Sequence, residues 1–286
     1  MIKRREPFAL SGWQKFAVYA VLLALCVPAA LPFVWMVSTS LKPTDQIFSG
    51  DGTITLSSFI PKTVEWGNYP KAMSTVPFAT YLQNTLALCA ITVFGAVLSS
   101  ATVAYGFARI PFKGSKTLFV IMISTMALPG QVTMVPVFAL FRYLGWYGTY
   151  LPLTVPAFFG APFYIFLLTQ FFRSLPEEMA ESARVDGAGE WTIFTRLVLP
   201  LSKSALATCA LFQFLGTWND FFGPLLYINE PNQYTLGYGL QQFLSSYGSK
   251  WAELMAASTI FTLPIVVLFF LAQKTFIRGI STTGGK

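Results

Sequence analysis

"FATYLQNTLALCAITVFGAVLSSATVAYGF", residues 78–107, runs for thirty positions without one charged side chain. About 20 predominantly apolar residues are enough to carry a helix across the hydrocarbon core of a bilayer. Working outward, one comparable segment precedes it (residues 16–41) and four follow (117–141, 150–172, 205–228 and 251–275). Backbone in lipid must satisfy its own N–H and C=O groups, so runs of this length imply helices. The chain as a whole agrees: 54% of residues are hydrophobic and 11% charged, where a soluble domain carries about 25% charged residues. Mean hydropathy is +0.58. The expectation is an all-α, polytopic membrane protein with six transmembrane helices, forming one transmembrane domain over residues 1–286.

Composition excludes several functions. The net charge of +7 comes from basic residues scattered between apolar runs, and they build no continuous stripe for a phosphate backbone, so no nucleic-acid partner is expected. With no histidine in the sequence, a serine triad or a histidine-held zinc is unavailable. Cys26, Cys89 and Cys209 lie in apolar segments without metal or redox spacing and read as small buried hydrophobes. The basic Lys3, Arg4 and Arg5 precede an apolar run too long for a signal peptide. That run reads as a first, uncleaved span.

Fourteen of the nineteen Lys and Arg fall at the two termini, in the second-to-third connection and in residues 173–204; Lys42, Lys62, Lys71, Arg142 and Lys250 make up the other side. Retained loops are enriched in these residues, which places both termini of a multi-pass membrane protein in the cytoplasm. Prolines recur inside the segments, among them Pro28, Pro32, Pro129, Pro136, Pro152, Pro156, Pro162 and Pro264, and each favours a kink.

The longest connection on the basic side contains "EEMAESARVDGAGEWTIFTRLVLP", residues 177–200. Ser174 and Glu177 have the spacing of a capping box, which predicts a helix start there. Gly187 supplies a residue able to take positive φ, so that helix ends at Asp186. Ile193, Phe194, Leu197 and Val198 make an apolar stripe of a second short helix, which Pro200 is expected to close by pushing Leu199 out of the α region. The result is a projecting, charged helix–glycine–helix element at residues 173–204.

Glu181, Ser182, Ala183, then Gly187, then Val198, Leu199 and Pro200 resemble the EAA loop of ABC importer permeases, with Ser182 where alanine is usual. "DGA" at 186–188 (Asp186, Gly187, Ala188), "WNDFFGPLLYI" at 218–228 and "FIRGI" near the C-terminus resemble the carbohydrate-uptake, MalG-type branch. This resemblance covers nearly the whole chain. It implies a transmembrane permease subunit of an ATP-driven importer that moves a sugar or oligosaccharide inward, with the loop acting as coupling helix. It further implies that Glu178, Glu181, Arg184 and Asp186 make polar docking contacts, with Gly187 forming the turn. The implied partners are a second, different permease subunit, a cytoplasmic ABC ATPase dimer, an extracytoplasmic solute-binding protein, the sugar substrate and membrane lipid. The chain has no phosphate-binding G-x-x-x-x-G-K-[ST] motif, so it is not itself an enzyme: no cofactor is expected here, and ATP and Mg would belong to the ATPase.

Asp220 is an acid well inside an apolar segment, and intramembrane acids are functional candidates by default. With Asn84, Gln213, Trp218 and Asn219 it supplies the amides and aromatic face that suit sugar hydroxyls, so these five are the candidate substrate pathway. Glycerol phosphate or another polyol is the alternative cargo, although a phosphate would call for cations in the pathway. A secondary transporter or channel would call for internal repeats or more buried charge.

Overall fold

The computed structural model describes residues 11–48, 56–245 and 248–281. The basic cluster at Lys3–Arg5 and the tail at 282–286 lie outside them. Almost everything described is helical. Four helical stretches are long and apolar enough to cross a bilayer: Gly12–Ser40, Phe78–Arg109, Leu151–Ser174 and Trp251–Leu271. Two more qualify only as bent pairs, which brings the possible crossings to six.

Among the described residues the contacts form two compact units, one built from the chain as far as Thr75 with Phe243–Ile260 and one from Val76–Gln242 with the chain after Ile260. The first unit contains α1 (Gly12–Ser40), α2 (Thr44–Phe48), a 3-10 turn at Leu56–Phe59 and α3 (Asn68–Thr75). A two-stranded hairpin, β1 (Leu244–Ser245) with β2 (Gly248–Ser249), joins them, as does the start of the last helix. Ser11 begins α1 with a capping box to Gln14, and Pro28 and Pro32 stand inside the helix without ending it. The connection after α1 is held by polar contacts. Asn68 Nδ2 donates to the carbonyls of Ser40 and Lys42, both at 2.9 Å, Lys42 Nζ donates to Ser58 O at 2.6 Å, and Thr75 Oγ1 donates to Glu253 Oε2 at 2.6 Å.

The second unit is organised around α4 (Phe78–Arg109). Along it, small residues at Ala96, Ser100, Ala101 and Ala104 are buried and let neighbouring helices approach closely, as membrane packing favours. At Gly95 an added Cβ would lie 2.8 Å from the Phe158 ring. The third segment is not one continuous helix. It is α5 (Ser115–Ser124) with a 3-10 turn, then α6 (Gly130–Tyr143), meeting at 99°. Pro129 forces Leu128 into extended backbone (ψ 116°), and the helix restarts at Gly130.

The fourth segment is interrupted too: α7 (Leu151–Thr154) and a 3-10 turn (Val155–Phe159) precede Gly160 at φ +83°, after which Pro162 opens α8 (Pro162–Ser174). The fifth ends early. α12 (Lys203–Trp218) stops at Asn219, whose side-chain Nδ2 donates to Leu215 O at 2.8 Å, and α13 (Phe222–Tyr227) follows as a separate short helix. At 1.5 Å per residue α12 is about 24 Å long, short of the ~30 Å hydrocarbon core. Between Leu175 and Lys203 lie α9 (Glu177–Val185), α10 (Glu190–Ile193), a π-helical turn (Phe194–Val198) and α11 (Leu199–Leu201). After α13 come α14 (Leu236–Gly239) and the long α15 (Trp251–Ser281), which contains Pro264.

Candidate functional site: a rigid loop and a polar cavity

The capping box expected at Ser174 and Glu177 does not form. Ser174 remains the last residue of α8 and its hydroxyl donates back to Phe171 O at 2.7 Å. Leu175, ahead of a proline, is extended (ψ 141°), and Pro176 is the N-cap of α9 without a side-chain hydrogen bond. Proline brings no N–H to satisfy, and Glu177 and Glu178 complement the positive end of the helix.

The C-terminal end of α9 is a Schellman motif. Asp186 is the C-cap, Gly187 takes φ +82°, Gly187 N–H donates to Arg184 O at 3.0 Å, and Ala188 N–H donates to Ala183 O at 2.9 Å. Gly187, Ala183 and Ala188 therefore form one turn, with Ala183 and Ala188 packed on the core. Arg184 Nε donates to Glu190 Oε1 at 2.8 Å across this turn, and the Tyr105 hydroxyl of α4 donates to Glu190 Oε2 at 2.5 Å. Donation first from Arg184 and then from Tyr105 holds the Glu190 carboxyl below the usual carboxylate range. Neither Glu190 nor Tyr105 was a candidate from sequence; the available signal was an acid directly after Gly189, in the first turn of the second helix.

The second helix does not close at Pro200. Leu199 stays helical (φ −60°, ψ −47°), and its N–H reaches Phe194 O, five residues back. The widened π turn takes up the disruption that a proline brings to an α-helix, so the helix continues to Leu201. Its apolar stripe is buried at Ile193, Phe194 and Val198, in one cluster with Ala180, Tyr105, Leu168 and Phe172. Glu178, Glu181, Ser182, Arg184, Asp186 and Pro200 are exposed, while Leu199 packs on the cluster. The most exposed large apolar side chains of this loop are Val185 at 89% and Trp191 at 67%.

The candidate pathway residues separate. Trp218 is 1% exposed, stacked between Phe214 and Phe261, and its indole N–H donates to Phe261 O at 3.2 Å. It is a core residue and offers no face to a ligand. Asn84 Nδ2 donates to Asn232 O and Tyr234 O (2.8 and 3.0 Å), and Asn219 closes α12. Only Gln213 and Asp220 meet. They line a cavity of about 190 Å³ with Thr217 and Thr235, walled by Leu88 and Leu153. Gln213 Nε2 donates to Thr217 Oγ1 at 3.1 Å, and Asp220 Oδ1 accepts from Gly223 N–H at 2.9 Å.

Residues 96–282 match the family model described as the binding-protein-dependent transport system inner membrane component. Over 93% of its length the chain is 33% identical to a probable ABC transporter permease protein, YurM, of Bacillus subtilis, covering 87% of that protein. It is 31% identical over 99% of both chains to the arabinooligosaccharides transport system permease protein AraQ of Halalkalibacterium halodurans. Its fold superposes with a TM-score of 0.80, at 22% identity, on a chain of a bacterial ABC transporter that imports the acidic polysaccharide alginate; the match covers 94% of this chain and 99% of the other.

Proposed function

This chain belongs to the family of binding-protein-dependent transport system inner membrane components, and from that premise we propose that it moves a sugar or oligosaccharide into a prokaryotic cell as one of two different permease subunits. Permease names such as that of AraQ support the carbohydrate cargo. Energy comes from a separate ABC ATPase dimer, which binds ATP and Mg, and a solute-binding protein delivers the substrate. The basic-residue count puts both termini and the loop at 173–204 on the cytoplasmic side.

The observation that carries this reading is the loop. A charged helix sealed by a Schellman turn, tied to Glu190 and seated on the core through Ile193, Phe194 and Val198, transmits a push without melting. Its exposed Val185 and Trp191 are apolar groups on a polar element, the composition of a protein contact. Closure of an ATPase pair would draw such loops together and switch the bundle between two rigid arrangements. In α1, the apolar side chains from Trp13 to Phe33 are largely exposed, which suits contact with lipid and with the second permease.

Tagging this chain, expressing it with its genomic neighbours and identifying what purifies with it in mild detergent tests the assignment. A second permease and an ABC ATPase are expected, with uptake abolished by ATP depletion. A homo-oligomer of this chain alone, transporting independently of ATP, would overturn it.

A further inference from the structure

Resting on the importer reading, we propose that the Gln213–Asp220 cavity receives one neutral sugar ring and that Asp220 is the residue that excludes anionic rings. Size sets the first limit. At about 190 Å³ the cavity is below the ~300 Å³ at which pockets begin to take drug-sized ligands, so it holds about one ring of a longer substrate.

The chemistry of the lining sets the second. Asp220 Oδ1 is engaged by Gly223 N–H and Gln213 Nε2 by Thr217. Among the described residues that leaves Asp220 Oδ2 and Gln213 Oε1 as acceptors without a protein donor. Two acceptors suit a ligand rich in O–H donors, and no Lys or Arg lines the cavity. A uronate or phosphate ester would bring its charge against a carboxylate with no cation to offset it.

An aromatic cluster lies near the Asp220 backbone, outside the cavity lining itself. Gly237 lies against the Asp220 carbonyl, where a Cβ would stand 3.5 Å from its oxygen. On either side of Gly237, the rings of Tyr234 and Tyr238 meet edge to face at 4.5 Å, and Phe221 lies 5.7 Å from Tyr238. All three rings are partly exposed, and they offer flat apolar surface for the C–H face of a sugar. The segment is also preorganised. Asn84 holds Asn232 and Tyr234, the Tyr150 hydroxyl donates to Gln233 O at 2.8 Å, and Leu236 N–H donates to Thr85 Oγ1 at 2.8 Å. Little ordering is then left for binding to impose.

The test is uptake by the complete complex in proteoliposomes, with its binding protein, of arabinotriose, maltotriose, diacetylchitobiose and trigalacturonate. Asp220→Asn is informative because an amide oxygen can still accept from Gly223 N–H while the charge is gone. We expect the wild type to take a neutral probe and ignore trigalacturonate. Asp220→Asn should raise KM for that probe about tenfold, the equivalent of one charge-assisted hydrogen bond, and Gln213→Ala, which removes a neutral acceptor, should raise it by less. Asp220→Asn should also let trigalacturonate compete, a gain that misfolding cannot produce. If a neutral probe is taken and both variants keep the wild-type KM and exclusion, the cavity assignment is wrong while the importer reading stands. Wild-type preference for trigalacturonate also overturns the proposal, and uptake of no probe overturns the carbohydrate reading and this site with it.

Discussion

Arg109 and Arg173 close each other's helices. Arg109, the last residue of α4, donates through one guanidinium nitrogen to Phe172 O and Leu175 O at the end of α8, at 2.6 and 2.7 Å. Arg173, in the last turn of α8, donates to Phe107 O at 3.2 Å near the end of α4. Each helix leaves carbonyls without intrahelical partners and carries partial negative charge at this end, so a cation from the neighbour satisfies both demands and locks the two ends together.

Removing the better-seated member should cost more. Arg109→Ala is expected to destabilise by about 1.5–3 kcal/mol, the range for hydrogen bonds to charged groups, and Arg173→Ala, exposed and with one longer hydrogen bond beside a contact 5.5 Å over the Phe119 ring, by about 1 kcal/mol. Thermal unfolding of the two variants side by side checks the order. Equal losses would show that the cap on α8 is not the stronger contact.

At Gly187 the constraint is the backbone and not space, since an added Cβ meets nothing within 4 Å. A side chain at φ +82° costs roughly 1–2 kcal/mol, least for Asn. Uptake per inserted molecule should therefore fall in the order Gly187, Asn, Val at normal membrane abundance. Full uptake by Gly187→Val would sink the view that the Schellman turn must hold during the cycle.

Glu190 should make the loop acid-sensitive. Its folded-state carboxyl titrates below the usual range because Arg184 and Tyr105 donate to it, so its contribution is complete above the unfolded value of 4.5 and is lost as pH falls through the lower, folded value. The side chain is 43% exposed, which keeps the effect below about 1 kcal/mol. Hydrogen exchange at residues 184–190, corrected for intrinsic rate, should rise on acidification below the ordinary carboxylate range, and Glu190→Gln should remove that rise.

Gly239 sits where an added Cβ would run into the Tyr81 ring. Tyr81 is 1% exposed and its hydroxyl donates to Gln242 Oε1 at 3.2 Å, so it has little room to move. Gly239→Ala should cost about 1–3 kcal/mol through overpacking, seen as a lower apparent Tm and faster exchange of the Leu236 amide. An unchanged Tm would mean that the ring has another place to go.

The reading of this protein divides along a physical line. Periodicity, length and composition determined by themselves that the chain is helical and membrane-embedded, because a lipid environment demands backbone satisfaction within each segment and long apolar runs announce it. The glycine turn at 187 was equally legible, since positive φ is a local property of one residue. Tertiary structure alone decided what depends on partners distant in sequence. Arg109 and Arg173 read along the chain as loop charges and are helix caps in space; Trp218 and Asn84 read as ligand groups, and one is core while the other holds the segment at 232–234. Local competition decided the rest: the Ser174 hydroxyl found a carbonyl in its own helix, and a π turn let the helix run past Pro200. Glu190 gained its role only when α4 brought Tyr105 beside it, and Gln213 and Asp220 share a cavity because α12 stops at Asn219.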